Sequence, residues 1–356
     1  VTAGSTIADD DALRAAFARA VYFHSVGGVL THNSGCLVEG CLDLGVPVRV
    51  CAPKITSRPI STPLKDVDLA PLVTPPYAHY AGYVVDISHT NNFAPFHGIQ
   101  DGRLAYLNQN DIGLFSRLPD EHLMFVAHAS RFASRGGRRE PIAFGLSNGL
   151  IAATAGRPPF RSRTPRALRN FRASMNQSVR AALDLSFVPA LEKHLPVDRT
   201  IYEPGPYLAA LLDAPVCLAY GGDFYSPLME NPFFDQHQPA MAAMHRFESF
   251  AKPAIIMRWD SWRLWESFAS GCVTVHLDFA KYGFDLPHLP EPWVHYVPLD
   301  LDDLAGCAEA LMDRQRDWES IAEAGRAWAI EHYAPRPTAA RVLSTLLNCG
   351  AKVAAA

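Results

Sequence analysis

The sequence predicts an α/β protein built as two Rossmann-like domains facing a cleft, each a parallel sheet flanked by helices. Three observations predict it. Apolar runs of strand length alternate with amphipathic stretches of helix length almost from end to end. A strand, loop, helix, strand unit, the building block of a parallel sheet, spans residues 21–51. The alternation then breaks near the middle, where Ala155–Pro165 turns to Gly, Pro, Arg and Ser. A length of 356 residues suits two domains. The expected boundaries are 1–160 for the first domain and 161–335 for the second. Residues 336–356 are expected to form a helix that packs back on the first domain.

In the first half, Val21–Ser25 (VYFHS) reads as a short buried strand. Leu37, Cys41 and Leu44 fall at helical spacing behind Ser34 as a cap, and Gly45 ends that helix. Val46–Cys51 is the next strand. Gly82–Ile87, Leu104–Leu107, Leu123–Ala127 and Ile142–Leu146 follow as strands. In the second half, Thr164 and Pro165 read as the cap and first-turn proline of a helix over Arg166–Leu183. Strands at Pro215–Ala219, Pro253–Met257, Cys272–His276 and Val294–Val297 alternate with helices at Gln238–Phe250, Ser261–Ser270, Asp302–Asp313 and Trp318–His332. A last helix near Thr338–Leu347 closes the chain.

Hydrophobic residues are 49% and charged residues 19%, which excludes a disordered tail, a collagen-like fibre or a coiled-coil rod. No run approaches the ~18–20 apolar residues of a membrane span. Val1–Asp11 has neither the basic nor the apolar region of a signal peptide. Seven scattered cysteines without a CxxC pair read as free thiols of a reducing cytosol. The net charge of −4 is unevenly placed. Residues 131–180 carry eleven arginines and one acid, Glu140. Such a stretch suits phosphates or peripheral contact with an anionic membrane face; the alternative is a face paired with acids elsewhere in the fold. Nucleic acid is not an expected partner, because aromatics are sparse among these arginines and the whole chain is acidic.

No G-x-G-x-x-G follows a strand, and no GxxxxGK[ST], HExxH or G-x-S-x-G occurs. Asp66-Val67-Asp68 follows a polar, proline-rich stretch, and Asp300-Leu301-Asp302 reads as an acid-rich helix start. Neither is expected to hold a metal, and no cofactor is expected.

The most informative stretch is Pro253–His276, PAIIMRWDSWRLWESFASGCVTVH. A strand ends at Met257, and Arg258 stands at its carboxyl end, where ligands of parallel sheets dock. Trp259-Asp260-Ser261 then opens a helix whose free N–H groups and positive dipole end suit a diphosphate. Arg258 and Arg263 add charge-assisted donors. Glu266, one turn beyond Arg263, has two oxygens to accept hydroxyls such as those of a ribose. Trp259, Trp262 and Trp265 could stack a base, although the i, i+3 pair Trp262 and Trp265 reads better as core.

This stretch resembles the donor half of nucleotide-sugar glycosyltransferases of the GT-B class, nearest in pattern to the exostosin-like and bacterial group-1-like members. Arg258, Ser261, Arg263, Glu266, Gly271 and Cys272 match that pattern in order. Asp278–Pro290 and Ile321–Pro335 look like the loop and penultimate helix that follow it, so the resemblance spans about residues 165–345. It implies transfer of a sugar from a nucleoside diphosphate sugar to an acceptor that the sequence does not identify. It also implies a leaving diphosphate held by basic side chains and helix dipoles without a metal ion. A non-catalytic sugar- or polymer-binding scaffold, and a nucleotide-sugar epimerase of the same architecture, are the alternatives.

Further candidates lie elsewhere. His24 ends the first strand, ahead of Gly27-Gly28, and its imidazole is suited to accept a hydroxyl proton. A histidine often follows the first strand in inverting members of this class. Asp86, at the end of another strand, could be a base or could orient His89. Arg172 and Arg180 could bind phosphate from the helix that opens the second domain. Gly222, in Tyr220-Gly221-Gly222-Asp223 after a strand, could line the donor pocket.

Overall fold

The computed structural model describes residues 7–25, 28–56, 60–75, 79–88, 103–109, 123–131, 138–171, 178–225 and 255–353. The chain divides into two compact units. The first takes Val1–Ala127, Arg135–Ile151 and Glu331–Ala356; the second takes His128–Ser134 and Ala152–Ile330.

The first unit is built on a six-stranded parallel sheet in the order β2-β1-β3-β4-β5-β6. Its strands are β1 (Val21–Ser25), β2 (Val48–Val50), β3 (Gly82–Asp86), β4 (Arg103–Asn108), β5 (Leu123–Val126) and β6 (Arg138–Pro141). β3 and β5 are buried along their whole length, as strands covered on both faces are. Helices α1 (Asp10–Ala16), α2 (His32–Asp43) and α3 (Asn148–Ala153) accompany the sheet. α2 begins earlier than its sequence predicts, with Thr31 and not Ser34 at the N-cap. The reason is tertiary. Asp86 accepts hydrogen bonds from the Thr31 N–H at 3.3 Å and the Ser34 hydroxyl at 2.7 Å, so a carboxylate from β3 caps the helix and Ser34 lies inside its first turn. The expected strand at Ile142–Leu146 is also displaced, since β6 covers Arg138–Pro141. The apolar run beyond it packs instead against the returning chain, where Leu146 N donates to Tyr333 O at 2.9 Å.

The second unit has a five-stranded parallel sheet in the order β13-β12-β9-β7-β8, with a separate antiparallel ribbon of β10 and β11. The strands are β7 (Ala167–Leu168), β8 (Val197–Asp198), β9 (Val216–Leu218), β10 (Asp223–Tyr225), β11 (Ile255–Met257), β12 (Val273–Leu277) and β13 (Val297–Leu299). The described helices are α4 (Ser178–Leu185), α5 (Phe187–Leu191), α6 (Pro204–Asp213), α7 (Trp262–Ala269), α8 (Phe279–Tyr282), α9 (Leu304–Asp313) and α10 (Trp318–Tyr333); α11 (Pro335–Val353) belongs to the first unit. Three expectations need correction. Arg166–Leu183 is not one helix: Ala167–Leu168 is a fully buried strand paired on both sides, and helix is described over Ser178–Leu185. Sheet pairing here overrides the cap-like Thr164-Pro165. Pro253–Met257 supplies β11, which pairs antiparallel with β10 outside the parallel sheet. Val294–Val297 shifts to β13, because Trp293 N bonds Tyr296 O and closes a turn first. The expected helix at Gln238–Phe250 lies outside the described residues.

After α10 the chain belongs to the first unit again, and α11 packs on α2. Gly40 makes the approach possible, since a side chain there would strike Pro335 O. The Ser344 hydroxyl accepts from Ala8 N at 3.0 Å.

One acid of the first unit is buried against its own chemistry. Glu39 on α2 accepts from Leu64 N at 2.6 Å and Asn148 N at 3.0 Å. Burial outweighs these bonds and pushes its pKa up to about 7. Because the folded pKa lies above that of the unfolded chain, the fold holds a proton here that the unfolded chain has released. Stability therefore falls as pH rises from about 4.5 to about 7. Tm measured against pH should show this fall in the wild type and a flatter curve in Glu39→Gln; parallel curves would contradict it.

Candidate functional site

Ligands of open parallel sheets bind at the carboxyl edge where the strand order reverses. In the second unit the chain steps from β7 to β8 on one side and resumes with β9 on the other. The reversal therefore lies between the ends of β7 and β9. Arg169-Asn170-Phe171 leaves the first of these, and Ala219-Tyr220-Gly221-Gly222 leaves the second. Phe171 is buried between two guanidinium groups, with Arg169 at 4.0 Å and Arg180 at 4.9 Å from its ring centre. Arg169 is neutralised by Asp184. Arg180, on α4, reaches the Tyr220 carbonyl at 3.4 Å.

The Pro253–His276 stretch arrives at this edge. A side chain at Gly221 would come within 2.9 Å of Arg258 O, so glycine lets the two loops meet. Gly222 is buried at φ +117°, in the region that favours glycine. Arg258 itself adopts φ +54°, an uncommon conformation for a side-chain-bearing residue. Three groups pin the turn after it. The His276 imidazole meets Trp259 O at 3.4 Å, the Trp265 indole donates to Asp260 Oδ1 at 2.6 Å, and Asp260 N donates to His128 Nδ1 at 3.1 Å. Burial drives the His276 pKa down to about 4, so its ring is neutral at physiological pH.

The turn ends in Ser261, the N-cap of α7, whose hydroxyl makes no cap hydrogen bond and has no partner among the described residues. In the first turn, the Arg263 guanidinium donates to the Asn170 carbonyl at the β7 end. One turn on, Glu266 is buried and its Oε2 accepts from the Tyr207 hydroxyl of α6 at 2.8 Å. Burial and then the Glu266 charge raise the Tyr207 pKa well above the phenol range, so it stays a donor. Trp259 and Trp265 are buried, and Trp265 stacks on Trp328 of α10 with ring centres 6.1 Å apart.

The far end of α7 explains the rest of the motif. Gly271 sits at φ +63° after the C-cap; its N–H bonds Phe268 O and Cys272 N bonds Ser267 O, the two bonds of a Schellman motif. The last carbonyls accept from cations: Arg326 reaches Ala269 O at 2.9 Å, and Arg163 reaches Ser270 O at 3.0 Å and Gly271 O at 2.7 Å.

Much of the arginine-rich segment is thus internal to the unit. Arg157 pairs with Glu323 and Arg161 with Glu319, while Arg166 lies against Asp198 and Asp213. Acids later in the chain answer these charges, as the alternative reading of the segment expects. Arg172 lies outside the described residues. Asp300 and Asp302 both pair with Lys281, and Asp68 caps a backbone N–H at Ala70. Among the described residues no cluster of three or more His, Cys, Asp or Glu is placed to hold a metal. None of their helices is long and apolar enough to cross a membrane.

In the first unit the order reverses between β1 and β3, and the ends of these strands carry His24 and Asp86. The register pairs His24 with Val85 and Ser25 with Asp86, so the two candidates lie on opposite faces of the sheet. Asp86 is buried and spent on the start of α2, where Thr31 and Ser34 both donate to it. His24 is half-buried, and burial lowers its pKa. His89 lies outside the described residues. The sequence reading missed Tyr207, Asn170 and His128, because each arrives from a remote segment without a local motif, and it took Arg163 only as part of the basic stretch.

The fold is that of GT-B glycosyltransferases: an α/β chain with two Rossmann-like domains, each carrying a parallel sheet. AviGT4, a glycosyltransferase involved in avilamycin A biosynthesis, aligns over 93% of this chain and 98% of its own, with a TM-score of 0.50 and 13% identity. An alpha-glucosyltransferase solved in complex with UDP aligns over 92% of this chain and 99% of its own, with a TM-score of 0.52 and 9% identity. No family model and no curated protein matches the sequence.

Tyr207→Phe removes the donor that satisfies a buried carboxylate. It should cost about 1–3 kcal/mol in urea unfolding, the range for an abandoned buried polar group. A loss below a few tenths would show that Glu266 is satisfied without it.

Proposed function

We propose that the protein is a metal-independent glycosyltransferase that moves a sugar from a nucleoside diphosphate sugar to an acceptor. The observation that carries this reading is the set of arginines at the strand-order reversal of the second unit: the Arg263 guanidinium on the Asn170 carbonyl after β7, the Arg180 guanidinium on the Tyr220 carbonyl after β9, and Arg258 in the turn that opens α7. The leaving diphosphate gathers negative charge as its bond to the sugar breaks. Donors already fixed in place stabilise that charge more than they stabilise the bound substrate. Arg258 and Arg263 supply guanidinium donors, and α7 supplies its N–H groups with the Ser261 hydroxyl beside them. Gly222 leaves room for the donor to approach the backbone. Glu266, oriented by Tyr207, accepts ribose hydroxyls. The shared fold with a glucosyltransferase solved with UDP supports the reading and makes UDP the first probe.

The acceptor hydroxyl forms the new bond to the anomeric carbon as the diphosphate departs with the electron pair. Among the base candidates we favour His24, whose lowered pKa keeps its ring neutral and able to take the hydroxyl proton. Asp86 is better suited to holding α2.

A thermal-shift panel of UDP, GDP and dTDP, alone and as sugar conjugates, tests the reading with and without EDTA. At least one should raise Tm, with EDTA making no difference. Arg263→Ala and Glu266→Gln should abolish the shift while remaining folded, and Arg258→Ala should slow transfer by about 10²–10³. If none of these nucleotides moves Tm, the reading is wrong.

A further inference from the structure

We infer that His128 is a positioning residue of the diphosphate site: its imidazole holds the Arg258–Ser261 turn in the form that binds the phosphates. This rests on the donor-site reading above and adds to it a residue from the first half of the sequence. His128 follows β5 of the first unit, yet its segment, His128–Ser134, belongs to the second. Backbone bonds stitch the segment in: Arg131 N donates to Gly283 O and Asp285 N to Ala129 O, both at 3.0 Å, around a bridge between Ser130 and Phe284.

The contact that matters is the bond from Asp260 N to His128 Nδ1 at 3.1 Å. Only an unprotonated nitrogen can accept it, so the ring carries its proton on Nε2. The bond fixes the peptide plane between Trp259 and Asp260. Arg258 immediately precedes that dipeptide along the chain and Ser261, the α7 N-cap, immediately follows it. The Trp259 ring is fixed as well, edge-on to His128 and stacked on Phe284 with centres 4.8 Å apart. His128 has a positive φ of +55°, and Arg258, two residues before the bonded Asp260 N–H, has one of +54°. Non-glycine residues persist in that region only where their surroundings over-determine them, and such residues concentrate at ligand clamps. The Ser261 hydroxyl, nine-tenths buried and without a partner among the described residues, marks the end of the turn as a place prepared for a hydrogen-bonding ligand.

Glu266 is held separately by Tyr207, one turn further along α7. Loosening the turn therefore removes the grip on the phosphates and leaves the ribose contact in place. The test measures dissociation constants for UDP with UMP, for GDP with GMP and for dTDP with dTMP, by titration calorimetry on the full chain. The variants are His128→Asn, His128→Phe and His128→Gly. Asparagine keeps an acceptor near the Nδ1 position and tolerates positive φ. Phenylalanine keeps the ring and loses the acceptor. Glycine loses the acceptor and relaxes the backbone, which preserves the test if the phenylalanine variant does not fold.

The wild type should prefer the diphosphate of the base it binds by at least tenfold over the monophosphate. His128→Phe and His128→Gly should erase most of that preference, and His128→Asn should keep it within about threefold. Equal behaviour of all three variants, or equal weakening of diphosphate and monophosphate, overturns the role given to His128 and leaves the donor site standing. If the wild type binds none of UDP, GDP and dTDP, both fall together.

Discussion

Two guanidinium groups hold the carboxyl end of α7. Arg163 and Arg326 accept the burden of its last carbonyls, and they place positive charge where the helix dipole is negative. Arg163 also donates to Ala214 O at 3.3 Å, at the C-cap of α6. One buried cation therefore ties two helices together at the end away from the ligand edge. Tyr207 rides on the first of these helices and Glu266 on the second, so their hydrogen bond depends on that tie. With its far end fixed in this way, α7 can present its start to an anion without needing protein groups to fill it.

The two units use the same geometry with opposite electrostatics. In the first, the helix that starts at the strand-order reversal is α2, and its leading N–H groups are already taken. Thr31 N donates to Asp86, and Asn33 N donates to Gln109 Oε1 at 3.2 Å. A carboxylate sits where an incoming phosphate would have to go. In the second, the corresponding carboxylates are spent elsewhere: Asp184 on Arg169, Asp260 on Trp265, and Glu266 on Tyr207. Fold alone does not set the chemistry of a strand-order reversal; the residues at the strand ends do.

What was legible in the sequence was local. Ser261, Arg263, Glu266 and Gly271 sit at fixed offsets along one short helix: Ser261 at the N-cap position with its hydroxyl uncommitted among the described residues, Arg263 as a first-turn donor, Glu266 as a buried acceptor and Gly271 as a left-handed stop. β1, β3, β4, β5 and β9 were legible because buried strands read as apolar runs. β7 was not: its two residues carry too little periodicity to compete with the cap-like Thr164-Pro165, and only pairing with β8 and β9 defines it. The partners of the arginine-rich segment were not legible either. Its charge is answered by acids from Asp184 to Glu323, distances along the chain that no window on the sequence can span. Tyr207 and His128 were invisible for the same reason, since parallel-sheet crossovers bring them to α7 from separate stretches.

The return of α11 to α2 gives the molecule an unusual accounting of its ends. Ala8 and Asp10 are tied to Ser344 and Arg336, so the leading and trailing segments of the described chain form one joint. The second unit is in effect an insertion within the first. Shortening the chain from its tail would strip the cover from α2 and unravel the opposite half of the polypeptide. A protease nick near Tyr333 would then be felt first at the helix capped by Asp86, some three hundred residues upstream.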